Sequence, residues 1–201
     1  MIGKNAKKRS YNKDCKWEQA VQVRDNVLGS LWRNLSPPKV EIFSWLALQG
    51  RLVTRSILAS RNVIPEGQTL LCQFCSLYEE TPEHLLLHCS FSWNIWSIIM
   101  QWWKLEWVCP PSLAVLATWG FGNRFRNLER HIWEVTFFGT LWSLWLARND
   151  LMFNNLSRSA SEVGDLVKTR VAMWMKTKFD IKMYSVEEFK SFLGGIRTLK
   201  L

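Results

Sequence analysis

The sequence is poor in the residues that titrate near neutrality or crosslink a chain: among 201 residues there are three histidines and five cysteines. An odd cysteine count without an even framework argues against a disulfide scaffold and for reduced thiols or metal ligands. Also missing is any uncharged apolar run of the roughly 18 to 20 residues that span a bilayer. The two longest candidates, FSWNIWSIIMQWW (91–103) and IWEVTFFGTLWSLWLA (132–147, carrying Glu134), read instead as buried helices. The basic opening, MIGKNAKKRSYNKDCKW, leads into neither an apolar stretch nor a small-residue cleavage site. No secretory signal is therefore expected, and the chain is expected to be intracellular, nuclear or cytoplasmic. Alternating strand patterns are almost absent, and there is no internal repeat or low-complexity segment. The expected class is mainly α.

Positive charge is missing from one region in particular. The net charge is +9, yet no lysine or arginine occurs from residue 62 to residue 103. The excess lies upstream. Residues 1–16 hold Lys4, Lys7, Lys8, Arg9, Lys13 and Lys16 against Asp14, and residues 33–61 hold Arg33, Lys39, Arg51, Arg55 and Arg61 against Glu41. Clustered cations of this kind attract polyanions, so Lys7, Lys8, Arg9, Arg51, Arg55 and Arg61 are the candidate nucleic-acid contacts. A solvated tail describes residues 1–16 equally well.

Tryptophan is abundant, with thirteen copies. Most lie in helical patterns and are expected in the core. The apolar spacing and the punctuation predict a helix over 17–35 that stops at SPP, and another over 39–49 that stops at Gly50. A short one follows over 56–61, capped by Thr54. A further helix starts at Thr81-Pro82, and a fresh one, capped by Ser90, runs through Trp93, Trp96 and Ile99. Helices over about 128–153 and 161–175 and a short one near 186–193 complete the reading.

The densest chemistry is LCQFCSLYEETPEHLLLHC (71–89). A CxxC pair places two sulfurs on one tight turn, and zinc completes a tetrahedron with two more thiolate or imidazole donors. Cys72 and Cys75 form the pair, with His84, His88 and Cys89 following. On an unbroken α-helix His84 and Cys89 stand about 140° apart, whereas His84 and His88 share a face. Cys72, Cys75, His84 and Cys89 are favoured if the helix from Pro82 ends near His88 and leaves Cys89 at a corner. A set using His88, and unmetallated thiols beside a buried histidine, are the alternatives. Four protein donors leave no open position, so such a zinc is structural. Glu79, Glu80 and Glu83 read as a solvated acidic loop that, with three thiolates, repels phosphate here. Phe74, between the paired cysteines, suits either base stacking or packing on the following helix.

Several motifs together resemble the zinc-binding domain downstream of the reverse transcriptase in plant LINE-like, non-LTR retrotransposons. They are LW (31–32), PPKVEIFSWLA (37–47), RLVTRSIL (51–58), Arg61, the CxxC, EHLLLHC (83–89) and FSWNIW (91–96). The family's metal motif falls on Cys72, Cys75, His84 and Cys89. LWSLWLARNDLMFNN (141–155) is similar to the segment that precedes the ribonuclease H domain in such elements. The organisation implied is a basic arm at 1–16, a zinc-binding domain at 17–105 and a helical C-terminal region at 106–201. No aspartate pair resembling the polymerase motif occurs, nor do the spaced carboxylates of a ribonuclease H, so no enzyme is expected. The resemblance implies a zinc-stabilised accessory module that binds RNA or DNA weakly and without sequence readout. The competing expectation is a helical protein-interaction remnant that uses its tryptophan-rich helices.

Overall fold

The computed structural model describes residues 32–121, 125, 127–179, 185–191 and 193. The basic arm with Lys7, Lys8 and Arg9, and the expected first helix up to residue 31, lie outside them. The end of that helix is corrected: residues 32–36 form a turn and a run of bends. Asn34 there takes a left-handed φ of 54°, a conformation that ends helices.

The helices are α1 (Pro38–Leu48), α2 (Arg55–Ser60), one π-helical turn (His84–His88), α3 (Ser90–Trp102), α4 (Leu113–Phe121), α5 (Asn127–Asn154), α6 (Ala160–Phe179) and α7 (Val186–Ser191). Among the described residues the strand content is one isolated antiparallel bridge, Leu71 with Glu79. The mainly α expectation holds.

Local chemistry sets the helix ends. At the start of α1, Pro38 has no N–H to leave unpaired, and the Glu41 carboxylate accepts the N–H groups of Leu35 and Ser36 at 2.9 and 3.3 Å. α1 ends where the sequence predicts. Gly50 adopts φ 64°, and the Arg51 N–H reaches back to the Leu46 carbonyl at 2.9 Å. α6 opens on a reciprocal capping box in which the Ser159 N–H donates to Glu162 at 2.7 Å and the Glu162 N–H donates to the Ser159 hydroxyl at 3.2 Å. One expected cap is corrected. Ser90 is the first helical residue of α3, and Cys89 holds the cap position in extended backbone, its side chain making no capping bond.

α5 is the axis of the fold and packs against α1, α3, α4, α6 and the π turn. Every residue from Ile132 to Leu141 is buried, so this stretch has no solvent face. Its hydroxyls are satisfied within the helix: those of Thr136, Thr140 and, just beyond the stretch, Ser143 donate to carbonyls four residues back at 2.7, 2.7 and 2.6 Å. Against α5 and its own buried Trp133 lie the fully buried indoles of Trp96 and Trp103. Trp133 meets Trp103 edge-on at 5.1 Å and Trp119 edge-on at 5.4 Å, an arrangement aromatic quadrupoles favour. Gly120 makes room for this cluster, because a Cβ there would collide with the Trp133 indole. The two long apolar runs thus belong to α3 and α5. No helix among the described residues is long and apolar enough to cross a membrane.

Candidate metal centre

The site is built from a hairpin and a corner. The hairpin closes by Cys72 N–H to the Tyr78 carbonyl at 2.7 Å and Glu80 N–H to the Leu70 carbonyl at 2.8 Å. Its tip turns at Ser76, whose φ of 54° is left-handed and whose N–H donates to the Cys72 carbonyl at 2.8 Å. Within this turn the backbone N–H groups of Phe74 and Cys75 hydrogen-bond the Cys72 sulfur, contacts that by themselves favour thiolate but are outweighed here by the hydrogen bond to Cys89 and by burial.

The corner resolves the angular conflict between His84 and Cys89. Thr81 caps the segment, accepting the His84 N–H at 3.1 Å. The next turn is then π-helical, closed by Cys89 N–H to the His84 carbonyl at 2.7 Å, an i→i+5 bond. The wider turn and the extended backbone of Cys89 let donors five residues apart face one point. Such a turn leaves carbonyls without their α-helical donors. The Ser92 hydroxyl takes that of Leu85, and the Trp96 indole N–H takes that of Leu86 at 2.9 Å. FSWNIW therefore follows EHLLLHC for a physical reason.

One donor atom from each of Cys72, Cys75, His84 and Cys89 lies within 4.8 Å of all the others. Zn–S bonds of about 2.3 Å and Zn–N bonds of about 2.0–2.1 Å imply tetrahedral edges of about 3.8 Å between sulfurs and about 3.5 Å between sulfur and nitrogen. The Cys72 and Cys89 sulfurs are 3.8 Å apart, and the Cys75 sulfur is 3.3 Å from His84 Nε2. Three thiols and an imidazole at these spacings fit zinc. Burial, followed by the charge of His88, lowers the His84 imidazole from its ordinary value, the direction that favours the free lone pair a metal needs. The Cys72 thiol donates to Cys89, which pushes Cys72 up and draws Cys89 down. His88 is exposed and turned elsewhere, its Nε2 hydrogen-bonded to the Pro110 carbonyl at 3.2 Å.

The surroundings correct the acidic-loop expectation. Glu79 is exposed, but Glu80 is fully buried and both its oxygens are held by Arg148, at 2.6 and 3.2 Å. The same carboxylate accepts the Arg55 N–H at 3.1 Å. Glu83 is half-buried and caps α4 by accepting the Leu113 N–H at 2.9 Å. Arg148, itself 3% exposed, lies over the Trp145 ring at 5.2 Å, and Trp145 packs on the cysteine cluster. Sequence reasoning missed this pair. Its one legible signal was a charged residue, Arg148, directly after the apolar run LWSLWLA.

Phe74 packs on Phe91 with ring centroids 4.3 Å apart, the packing alternative of the two expected. Arg51 and Arg61 are exposed, while Arg55 is half-buried and its guanidinium donates to the Thr69 carbonyl at 2.9 Å. Residues 8–96 match the family model described as zinc-binding in reverse transcriptase. No curated protein and no solved structure matches the chain. All four donors fall inside the matched span, which ends at Trp96, whose indole N–H takes the Leu86 carbonyl of the π turn.

Proposed function

We propose that this chain is a non-catalytic, zinc-stabilised helical module of reverse-transcriptase origin, of the plant LINE-like type, that binds RNA or DNA weakly through the backbone. The observation that carries it is the Cys3His donor set, whose spacing suits a closed tetrahedron. Zinc, when bound there, supplies a crosslink between the 70–80 hairpin and the corner at Cys89 and has no position left for water or substrate. The protein's own groups do the rest. Backbone N–H groups support the thiolates, Trp145 covers the cysteines, and Glu80 ties the hairpin to Arg148. On this reading residues 17–105 form the zinc-binding unit, 106–201 brace it, and basic residues, Arg51 and Arg61 included, approach phosphate. Elemental analysis should return about one zinc per chain. Binding to single-stranded RNA and DNA should weaken steeply with salt, and affinity that is absent at low salt or indifferent to salt overturns the nucleic-acid part.

A second reading, a protein-interaction remnant, is favoured by a groove of about 490 Å³ whose lining, among the described residues, includes Trp107, Val108, Val115 and Trp119, the acid Glu106 and no arginine. It expects no salt-dependent affinity for nucleic acid in the same assay.

A further inference from the structure

A cleft of about 270 Å³ opens between the 34–38 turn and the end of α6, lined in part by Asn34, Ser36, Trp174, Thr177 and Lys178. Ser36 is 5% exposed, and its hydroxyl has no hydrogen-bond partner among the described residues. A buried hydroxyl left unpaired is unfavourable, and this one belongs to a residue that lines the cleft. The cleft also sits at the N-terminus of α1, the positive end of an 11-residue helix. Lys176 and Lys178 lie in the last turn of α6, against that helix's negative end.

Cations gather beside the cleft. Arg33, adjacent to Asn34, is 3.4 Å from Glu134 Oε1, and Arg130 is 3.1 Å from the same oxygen. Glu134 is fully buried and the two arginine side chains are 39% and 32% exposed, so the acid draws two guanidinium groups together while leaving both facing water in part. Lys178 is exposed at the cleft. Burial, then the charges of Arg33, Arg130 and Lys178, hold the nearby His131 below its ordinary range, which agrees with three cations converging on one place. The other acid here, Glu41, is buried and engaged with the Leu35 and Ser36 N–H groups. Trp32, just before Arg33, is 56% exposed.

We infer that single-stranded nucleic acid docks here, one base entering the cleft against Trp174 beside Ser36 while flanking phosphates lie on Arg33 and Lys178. Aromatic surface next to cations is the chemistry that holds single strands without sequence readout. This rests on the nucleic-acid reading above and assigns it a surface that the sequence did not single out, distinct from Arg51, Arg55 and Arg61.

The test measures fluorescence anisotropy of labelled oligo(U) and oligo(dT) of about twelve nucleotides with the full zinc-loaded chain over a salt series. Arg33→Ala combined with Lys178→Ala should lower affinity about tenfold or more and flatten the logarithmic salt slope by ~1.4. Because Arg33 also faces Glu134, the exposed Lys178→Glu provides a second variant, expected to weaken binding with an unchanged thermal midpoint. Loss of either strand type in both variants supports the assignment. Wild-type affinity in both variants, with loss in Arg51→Ala combined with Arg61→Ala, overturns this surface and leaves the nucleic-acid reading standing. No binding by the wild-type chain at low salt overturns both.

Discussion

Around residues 72–89 the protein gathers four zinc-type donors and a few backbone hydrogen bonds, with Leu77 and Tyr78 left 72% and 65% exposed. Along α5 it is held by exclusion of water, with Ile132 to Leu141 buried and aromatic rings on several sides. On the zinc reading proposed above, a metal crosslink offsets the entropy of ordering the exposed hairpin of the first region. The second has area in excess and needs only its polar groups satisfied. Cohesion by coordination, on that reading, is all-or-none, because a missing donor leaves the metal's ligand set incomplete. Cohesion by burial is graded, because each lost side chain costs its own area and cavity. Glu80 and Arg148 join the two, a charge from each region buried in the other's company.

The largest effect expected is the loss of the crosslink. Cys72→Ser should take the zinc content from about one per chain to near zero. Hydrogen exchange should then show lost protection first over residues 70–96, and retained protection there without metal would break the comparison.

Next come two substitutions of similar size and different reach. Trp133→Ala should cost about 3–5 kcal/mol in denaturant unfolding, the usual range for emptying a buried aromatic site, yet leave zinc stoichiometry unchanged. Arg148→Ala should cost about 3–5 kcal/mol because it strands the buried Glu80 charge, and it should also weaken zinc retention against a chelator. A Glu80→Gln, Arg148→Met double variant should recover much of that loss. If Arg148→Ala left zinc retention at the wild-type level, the two regions would be energetically separate.

The smallest effect lies at the hairpin tip. Ser76 holds a left-handed φ of 54° that costs an L-residue about 1–2 kcal/mol, so Ser76→Gly should stabilise the zinc-loaded protein by up to about 1 kcal/mol. Ser76→Val should destabilise it, both read as shifts in thermal midpoint.

Much of this was legible in the sequence because it is local. The CxxC spacing put two sulfurs on one turn, Gly50 ended α1, and the apolar runs at 91–103 and 132–147 marked helices without a full solvent face. The ligand choice was legible only conditionally. Whether His84 and Cys89 could face one point depended on a π turn, and that turn is sustained by Ser92 and Trp96, which lie outside it. The reading of Glu80 and Glu83 as solvated failed for a related reason. Their partners, Arg148 and the Leu113 N–H, lie 68 and 30 residues away, beyond any periodicity or composition window.

By itself, then, the sequence determined most of the described helices though not α4, several of their stops, the cluster of zinc-type donors and the uneven distribution of positive charge, since each follows from spacing along one chain. Only the tertiary structure decided which charges are buried and paired, how the corner at Cys89 is kept open, and that Arg33, Arg130 and Lys178 gather beside one cleft. Those are contacts between segments far apart in sequence. Their energies depend on distance, burial and local dielectric, and none of these exists until the chain has packed.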